Sequence, residues 1–148
     1  LRYRRNHYMC KKDSPVGSKQ PNGYVKVNME RSMFWAHRLV FFMCTGLEPD
    51  YIDHIDGDSS NNAIENLRAC TQSQNGGNSK PTNNTSSPYK GVGWHRAAKK
   101  WEAYIVSDTK KKKYLGIYGS EEEAAKAYDR AAVERWGCFA KVNFPNEA

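Results

Sequence analysis

An adjacent carboxylate and imidazole, Asp53 and His54, form the pair in this sequence that is best suited to chemistry. Two amides follow, since Asn66 lies twelve residues and Asn75 twenty-one residues beyond His54. Carboxylate and amide oxygens can hold one hard metal ion, and a neutral imidazole beside it can act as a general base. Hydrolysis of a phosphodiester needs this combination. Because Asp and Asn also form turns and helix caps, a purely structural role is the alternative.

The charge of the chain is unevenly spread along its 148 residues, which carry a formal net charge of +7. Residues 1–40 hold nine Lys/Arg against two Asp/Glu, and residues 81–118 hold eight against two. Residues 41–80 hold two against six, and residues 119–148 hold four against six. A basic chain suggests an anionic partner, and two basic segments around an acidic one suit a metal site inside a nucleic-acid groove. Ordinary solvated charge is the alternative.

The cysteines indicate a reducing compartment. They are Cys10, Cys44, Cys70 and Cys138, and no two have the C-x-x-C spacing, which argues against a structural zinc site. Their scatter favours free thiols and a cytoplasmic location. The longest apolar run, residues 39–44, is too short to span a membrane, so no membrane partner is expected. The chain starts at Leu1 rather than Met, and we expect a piece to precede it.

The first half of the chain is predicted to position the Asp–His pair on a strand. Apolar patterning predicts strands over residues 23–29, 51–55 and 67–71 and a helix within residues 34–44. Asp53 and His54 lie on the second strand. Thr71 and Gln74 have the spacing of a capping box, which predicts a short helix that carries Asn75.

Three further expectations concern packing in this half. Asn62 and Glu65 also have capping-box spacing and are predicted to start a helical turn. His37 is expected to be a buried structural histidine with its hydrogen bonds satisfied, and contact to phosphate or metal is the alternative. The apolar residues of the helix within residues 34–44 recur at helical spacing and are predicted to pack on the core; they are Trp35, Leu39, Phe42 and Met43.

A polar stretch, residues 76–88, marks the predicted domain boundary, because it is rich in Gly, Asn, Ser and Thr and almost free of apolar residues. We predict an N-terminal domain over residues 1–79, a linker over residues 80–88 and a C-terminal domain over residues 89–148. Residues 1–22 are predicted to form a basic arm. Its arginines either touch phosphates or are solvated; they are Arg2, Arg4 and Arg5.

The C-terminal part is predicted to be a three-stranded sheet backed by one helix. Strands are predicted over residues 90–94, 101–106 and 113–118, and Ser120 with Glu123 forms a capping box that starts the helix. The helix has an apolar stripe rich in small residues, made by Ala124, Ala125, Tyr128, Ala131, Ala132 and Trp136. Gly137 ends the helix. A tail with Phe139, Val142 and Phe144 is predicted to dock. The predicted class of the whole chain is therefore α+β.

The central stretch resembles a nuclease family. DHIDGDSSNNAIENL followed by TQSQN is similar to the HNH endonucleases, in the subgroup found in phage and in self-splicing introns. The upstream AHRLVFFMCTG resembles the usual lead-in of that subgroup, and the resemblance covers residues 23–79. It implies an N-terminal ββα-metal module that cuts DNA with a divalent metal. Magnesium is expected, and manganese is the alternative, because two protein oxygens suit these ions better than zinc.

The resemblance also implies a role for each polar residue. His54 falls on the family's first histidine and would take a proton from the attacking water. Asn66 falls on the middle asparagine, whose oxygen would accept a hydrogen bond from one ring nitrogen of His54 and fix its tautomer. Asp53 and Asn75 would ligate the metal. The final family position, often histidine, is Asn75 here, which favours a hard oxygen-bound ion.

A second resemblance covers residues 87–145. SPYKGVGWHRAAKKWEAYI, KYLGIYG and EEAAKAYDRAA are similar to the plant ethylene-response-factor (APETALA-type) DNA-binding domain, a three-stranded antiparallel sheet packed on one helix. The family's DNA contacts fall on Lys90, His95, Tyr104, Lys112 and Tyr114, and Arg96, Lys100 and Trp101 are neighbouring candidates. Gly93 and Val106 replace family arginines, so the plant target sequence is not expected. The lysine run 110–113 either contacts phosphate or is a solvated tip.

These observations predict a metal-dependent, site-directed DNA endonuclease of the homing type. Its partner is expected to be double-stranded DNA, and a monomer is favoured. A phage protein of this kind would act in the host cytoplasm. Two other functions stay open. One is a DNA-binding regulator with an inactive nuclease scaffold, and the other is an RNA-binding protein.

Overall fold

The computed structural model describes residues 17–29, 32–80, 86–106 and 111–145. Arg2, Arg4 and Arg5 of the predicted arm, residues 81–85 of the predicted linker and Lys110 lie outside these residues, and the predicted domain boundaries stay a prediction. The described chain is α+β, with antiparallel sheets and helices. Within it, no helix is both long enough and apolar enough to cross a bilayer.

The N-terminal half begins with a three-stranded sheet and ends with a hairpin and a short helix. Its elements are β1 (Ser18–Lys19), β2 (Val25–Met29), β3 (Ser32–Trp35), α1 (Ala36–Thr45), β4 (Tyr51–His54), β5 (Leu67–Cys70) and α2 (Gln72–Gly77). The sheets are β1-β2-β3 and β4-β5, both antiparallel. Strand β1 lies in the segment that was predicted to be an arm.

The hairpin of β4 and β5 sends Asp53 and His54 to opposite faces, because successive side chains of a strand alternate. Asp53 pairs across the hairpin with Arg68, and His54 pairs with Leu67. Ile52 and Leu67 form a buried cluster with Phe41 of α1. The His54 face is therefore turned toward α1, and the Asp53 face is turned toward α2.

Helix α1 begins two residues later than predicted. Phe34 pairs with Val27 in the β2-β3 ladder, so residues 32–35 are extended and the helix starts at Ala36. Trp35 therefore belongs to β3, and the helix buries Ala36, His37 and Phe41 instead of the predicted residues. The predicted core positions Phe42 and Met43 are 51% and 74% exposed, and their prediction was wrong.

One of the two predicted caps in this half is present. Thr71 accepts from the backbone N–H of Gln74, whose side chain accepts from Thr71, so the α2 capping box is confirmed. The predicted cap at Asn62 is wrong. The short 3-10 turn Ile64–Asn66 has Ala63 at its N-cap position, with no side-chain hydrogen bond.

The C-terminal half contains β6 (Val92–His95), β7 (Lys100–Val106), β8 (Lys112–Tyr118) and α3 (Glu121–Trp136). The three strands form an antiparallel sheet in sequence order, as predicted. Ser120 and Glu123 form the predicted capping box, and Gly137 follows the last residue of α3 with φ 54°. Small side chains let α3 pack closely on the sheet, because its contact residues Ala124, Ala125 and Ala132 are fully buried.

The predicted tail docks through a buried carboxylate. Asp129 of α3 is 5% exposed and accepts from the backbone N–H groups of Asn143 at 2.8 Å and Phe144 at 2.9 Å. Phe144 packs against the core cluster between the sheet and α3. The Asn143 side chain in turn binds both backbone groups of Lys90. The tail therefore fixes the beginning of the C-terminal module as well as its end.

Candidate nuclease site and nucleic-acid interface

A cleft of about 310 Å³ brings together three of the four predicted site residues, Asp53, His54 and Asn75. The remaining lining comes from the residue before β2, the loop after β4, and the end of α2 with the residues that follow it; the residues are Tyr24, Gly57, Ser59, Gly76, Asn78, Ser79 and Lys80. Asn66 is not part of the lining. The hairpin supplies the Asp–His pair, and the capped helix α2 carries Asn75 to the same cleft.

Asp53 is held by two donors on its own face of the hairpin. Its Oδ2 accepts from Nε of Arg68 at 2.8 Å and from Nη2 at 2.7 Å. The Nδ2 group of Asn78 donates to Oδ1 at 2.9 Å and to Oδ2 at 3.1 Å. Arg68 thus occupies one carboxylate oxygen, and Oδ1 keeps acceptor capacity. Asp53 and Asn75 both line the cleft, and carboxylate and amide oxygens are donors of the type that hard divalent cations take.

The His54 ring is oriented by Asn62. The His54 Nε2 atom lies 3.2 Å from Oδ1 of Asn62, and Nδ2 of Asn62 donates to the Ser60 carbonyl at 3.2 Å. The bond to Ser60 assigns the amide, because only its NH₂ can donate to a carbonyl. Its oxygen therefore faces His54, and Nε2 carries the proton. Nδ1 is the nitrogen left with a lone pair.

The predicted hydrogen bond between Asn66 and His54 is wrong. Oδ1 of Asn66 accepts from the backbone N–H of Asp56 at 3.0 Å, and its Nδ2 donates to the Asp56 carboxylate at 3.0 Å and to the Asn61 carbonyl at 2.8 Å. The backbone explains this direction, because the Asn66 carbonyl accepts from Ile55 N–H and turns the side chain into the loop. Asn66 thus braces the loop that carries Asn62.

The open face of the C-terminal sheet carries most of the predicted nucleic-acid contacts. Ala103 and Ile105 of β7 are buried beneath α3, so Tyr104 between them points away from the helix. Tyr104 pairs with Tyr114, and Lys112 places its Nζ 4.0 Å from the centre of the Tyr104 ring. His95 pairs with Lys100 at the end of β6, and Arg96 is exposed in the adjoining turn.

Comparison with protein families agrees with both halves of this geometry. Residues 34–76 match the family model described as HNH endonuclease, and residues 87–138 match the model described as AP2 domain. The chain carries an HNH endonuclease domain and an AP2 domain. The HNH match runs from β3 to α2 and contains Asp53, His54, Asn66 and Asn75. The AP2 match contains the open sheet face and α3.

The chain is also similar to several plant proteins with AP2 or APETALA2 in their names. An AP2-like ethylene-responsive transcription factor of Arabidopsis thaliana is 38% identical over 106 residues, which is 64% of this chain and 35% of the relative. Another from the same plant, TOE2, is 46% identical over 59 residues, 40% of this chain and 12% of the relative. APETALA2-like protein 2 of Oryza sativa subsp. indica is 44% identical over 59 residues, which is 40% of this chain and 13% of the relative. The chain thus spans about a third or less of their length.

Besides Asn62, which was predicted only as a helix cap, two residues that hold the HNH site were missed by the sequence analysis. Arg68 pairs with Asp53, as described above. Asn78 is buried and donates to the His54 carbonyl at 2.8 Å as well as to Asp53, so it holds the backbone and the carboxylate of the pair together. The sequence could have indicated Asn78, because it follows Asn75 by three residues and the helical repeat places such residues side by side.

His37 is buried, as expected, but the prediction that its ring nitrogens are hydrogen-bonded is wrong for Nδ1. It is buried, is not part of the cleft lining, and lies with its ring centre 5.4 Å from His54 and 5.2 Å from Tyr24. Its Nδ1 is buried with no hydrogen-bond partner among the described residues. Burial, with smaller contributions from His54 and Arg38, lowers the pKa of His37 to about 4. His37 is therefore a neutral packing partner of the His54 ring.

We expect His37 to make stability depend on pH between about 4 and 6.5. Because its folded pKa is depressed, the unfolded chain binds more protons in this window, and stability rises with pH. The free-energy difference between wild type and His37→Gln should shift in favour of wild type from pH 4.5 to 6.5 and level off above pH 7. Urea unfolding at four pH values measures it. A difference that is constant across these values would contradict a neutral buried His37.

Two predicted AP2 contacts are placed away from the open face. The Nζ atom of Lys90 donates to the Gly77 carbonyl and lies about 6 Å from the ring centres of Tyr128 and Trp136. Burial, and then Lys141, lower the pKa of Lys90 to about 8. Trp101 packs against the core cluster and meets Trp94 edge to face at 5.0 Å, because strand alternation puts it on the same side as Ala103. These placements argue against both as nucleic-acid contacts.

Glu102 and Ile117 lie on the open face and were not predicted. They pair with each other across β7 and β8, and Glu102 alternates with Tyr104. Period-two alternation from Tyr104 was the signal that could have found them. A carboxylate on a basic face is notable, since Glu can accept from the amino group of cytosine in the major groove.

Within the residues that the structure describes, no group of three or more His, Cys, Asp or Glu side chains is placed to hold a metal ion. The pair Asp53 and Asn75 is of a different kind, because it combines one carboxylate with one amide. Such a pair would leave most positions around a cation to water or substrate oxygens, which suits magnesium.

Proposed function

We propose that this protein is a metal-dependent DNA endonuclease of the homing type, in which the HNH domain cuts and the AP2 domain positions it on DNA. A phage or intron origin belongs to this proposal. The observation that carries it is the cleft that joins Asp53, His54 and Asn75, with Nε2 of His54 held by Asn62. An acid–base group and a hard-ligand pair facing one solvent-open volume support phosphodiester hydrolysis.

His54 acts as the general base. With its proton on Nε2, the ring presents Nδ1 to a water molecule and accepts its proton as the water attacks phosphorus. Asn62 stabilises the resulting imidazolium, since its oxygen stays bonded to the Nε2–H. Asn66 is a positioning residue, because it holds the loop that carries Asn62. The Tyr24 ring meets His54 edge to face at 5.8 Å and limits rotation of the His54 ring.

Asp53, through Oδ1, and Asn75 would hold the divalent cation. Magnesium is the expected ion and manganese the alternative, because the donors are oxygens. When bound, the cation would stabilise negative charge on the leaving 3′ oxygen. Lys80 also lines the cleft and places a positive charge where a phosphate would enter.

The AP2 domain meets double-stranded DNA with its open sheet face. A sheet can enter the major groove and contact base edges. His95, Tyr104, Lys112 and Tyr114 share this face, with Lys100 and Arg96 at its end, and their mixture of aromatic and basic groups suits such contact. One cleft per chain cuts one strand, so a monomer nicks and a double-strand break requires two events.

Nicking of supercoiled plasmid tests the proposal. The full chain is incubated with plasmid in Mg²⁺, in Mn²⁺ and in EDTA, and we expect open-circular product only with a divalent ion. Binding to the plasmid without nicking in any divalent ion would favour the second candidate, a DNA-binding regulator. That candidate has its own support, because the relatives are named transcription factors.

The salt dependence of binding tests the assignment of the open face. Lys112→Ala should lower the slope of log K against log salt by about 0.9, the value for one phosphate contact on duplex DNA. Lys90→Met is the matched control. Its ammonium faces Gly77 and not the open face, so this slope should equal that of wild type. Titration of labelled duplex DNA at several salt concentrations in EDTA measures both, and equal slopes for Lys112→Ala and wild type would contradict the assignment.

A further inference from the structure

The HNH and AP2 domains are joined by specific contacts around the nuclease site. On the HNH side the contacts involve α2 and Arg68 of β5. On the AP2 side they involve the end of α3 and the residues after it, together with Lys90. Two of these contacts involve residues that act on the cleft. Arg68 binds Asp53, and Trp136 binds Ser73 of α2, the helix that carries Asn75.

The first contact runs through Arg68. Its Nε and Nη2 atoms bind the Asp53 carboxylate, while Nη1 donates to the Cys138 carbonyl at 2.9 Å. The guanidinium carbon also lies 4.0 Å from the centre of the Phe139 ring. One planar group is therefore fixed on two sides by the AP2 domain and on a third by the Asp53 carboxylate. Only arginine has the fork of donors and the flat face to make all three contacts.

The second contact seats α2, the helix that carries Asn75. A Cβ atom on Gly77 would lie 2.7 Å from the Trp136 ring, so glycine is needed for α2 to lie this close to that ring. Nε1 of Trp136 donates to the Ser73 hydroxyl at 3.1 Å. The Gly77 carbonyl accepts from Nζ of Lys90 and, at 3.0 Å, from the backbone N–H of Lys141. Both ends of this six-residue helix are thus held by the AP2 domain.

We propose that the AP2 domain completes the nuclease site, because Arg68 couples the Asp53 carboxylate to Cys138 and Phe139 while Trp136 seats α2 and its Asn75. Arg68 and Trp136 are positioning residues in this proposal. It rests on the proposed function, since it assigns to these contacts the placement of the two metal-binding side chains. A short helix that ends in two glycines has little stability of its own, so its position depends on what it packs against.

Mn²⁺ binding, followed by the EPR signal of free Mn²⁺ in the absence of DNA, tests the proposal on the full chain. Arg68→Lys keeps the charge and loses the fork, and we expect its Mn²⁺ dissociation constant to rise about 10–100-fold, the range for lost outer partners of metal sites. Phe139→Ala removes a ring on the AP2 side of the contact, and Gly77→Ala places a methyl group against the Trp136 ring; both should raise the constant too. Plasmid binding in EDTA should stay as in wild type for all three. Glu134→Gln, an exposed change in the last turn of α3, is the matched control and should behave as wild type.

Different failures give different results. If Arg68→Lys weakens Mn²⁺ binding while Phe139→Ala and Gly77→Ala keep wild-type affinity, Arg68 acts only within the HNH domain and the coupling is wrong. If wild type binds no Mn²⁺ and nicks no plasmid, the proposed function itself fails. Seating of α2 is then still measured by urea unfolding. Gly77→Ala should lower the free energy of unfolding more in the wild-type background than in the Trp136→Ala background, because the second background lacks the ring that the new methyl group would meet. Equal effects in the two backgrounds would show that α2 does not pack on Trp136.

Discussion

Replacing His54 with alanine should slow plasmid nicking in Mg²⁺ by about 10²–10⁴-fold, the usual contribution of a general base. The ring has Nε2 held by Asn62 and leaves Nδ1 with a lone pair for the attacking water, and alanine removes both nitrogens. DNA binding should be retained, because the candidate contacts lie on the AP2 sheet. Nicking rates over a range of plasmid concentrations separate the two effects: the turnover rate falls while the plasmid concentration at half-maximal rate stays the same.

The matched control for His54→Ala is His37→Gln, which alters the neighbouring ring but no group that lines the cleft. His37→Gln should keep most of the nicking rate at pH 7.5, where His37 is neutral in wild type. The nicking rate of Asn62→Ala should lie between the rates of His54→Ala and His37→Gln, because His54 then loses the oxygen that fixes its tautomer. If His54→Ala nicks as fast as wild type, the base lies elsewhere and the cleft does not work as proposed.

The elements that position the site were predictable because their signals are local. Asp53 and His54 lie on a strand, and Thr71 begins the helix that carries Asn75, since a capping box is fixed by residues three apart. The same holds for Ser120 and Glu123 in the AP2 domain. In each case the partners are close in sequence, and the backbone between them has one favourable conformation.

The errors arise where a tertiary contact, and not the local pattern, decides the outcome. The start of α1 was mispredicted because Phe34 pairs with Val27 across the β2-β3 hairpin, which keeps residues 32–35 extended. The partner of His54 was mispredicted because the loop from 55 to 66 folds back and presents Asn62, while Asn66 is used inside the loop.

Lys90 was mispredicted for a similar reason, because its partner lies in the other domain. Its family position is a DNA contact, yet the docking of α2 beside α3 provides the Gly77 carbonyl as its partner. No pattern within either domain encodes that contact. The pairing of Arg68 with Asp53 likewise depends on the register of the hairpin, which a twelve-residue loop does not determine on its own.

Replacing Asp53 with asparagine should remove nicking and also destabilise the protein, for two separable reasons. The Asp53 side chain is 4% exposed and that of Arg68 is 19% exposed, so the variant leaves a largely buried guanidinium without its carboxylate. Breaking such a pair from one side costs about 3 kcal/mol in the free energy of unfolding. Nicking should fall by roughly 10²-fold or more, since the loss of even an outer partner of a metal site costs about 10–100-fold.

The double variant Asp53→Asn with Arg68→Gln separates the two roles of the carboxylate. Two neutral amides can bond to each other across the hairpin, and removing both charges of a buried pair is often close to neutral. Urea unfolding should therefore show most of the stability regained, while nicking in Mg²⁺ and Mn²⁺ binding stay lost. If nicking returns together with stability, Asp53 serves only as the partner of Arg68, and the cation must be held by other groups of the cleft.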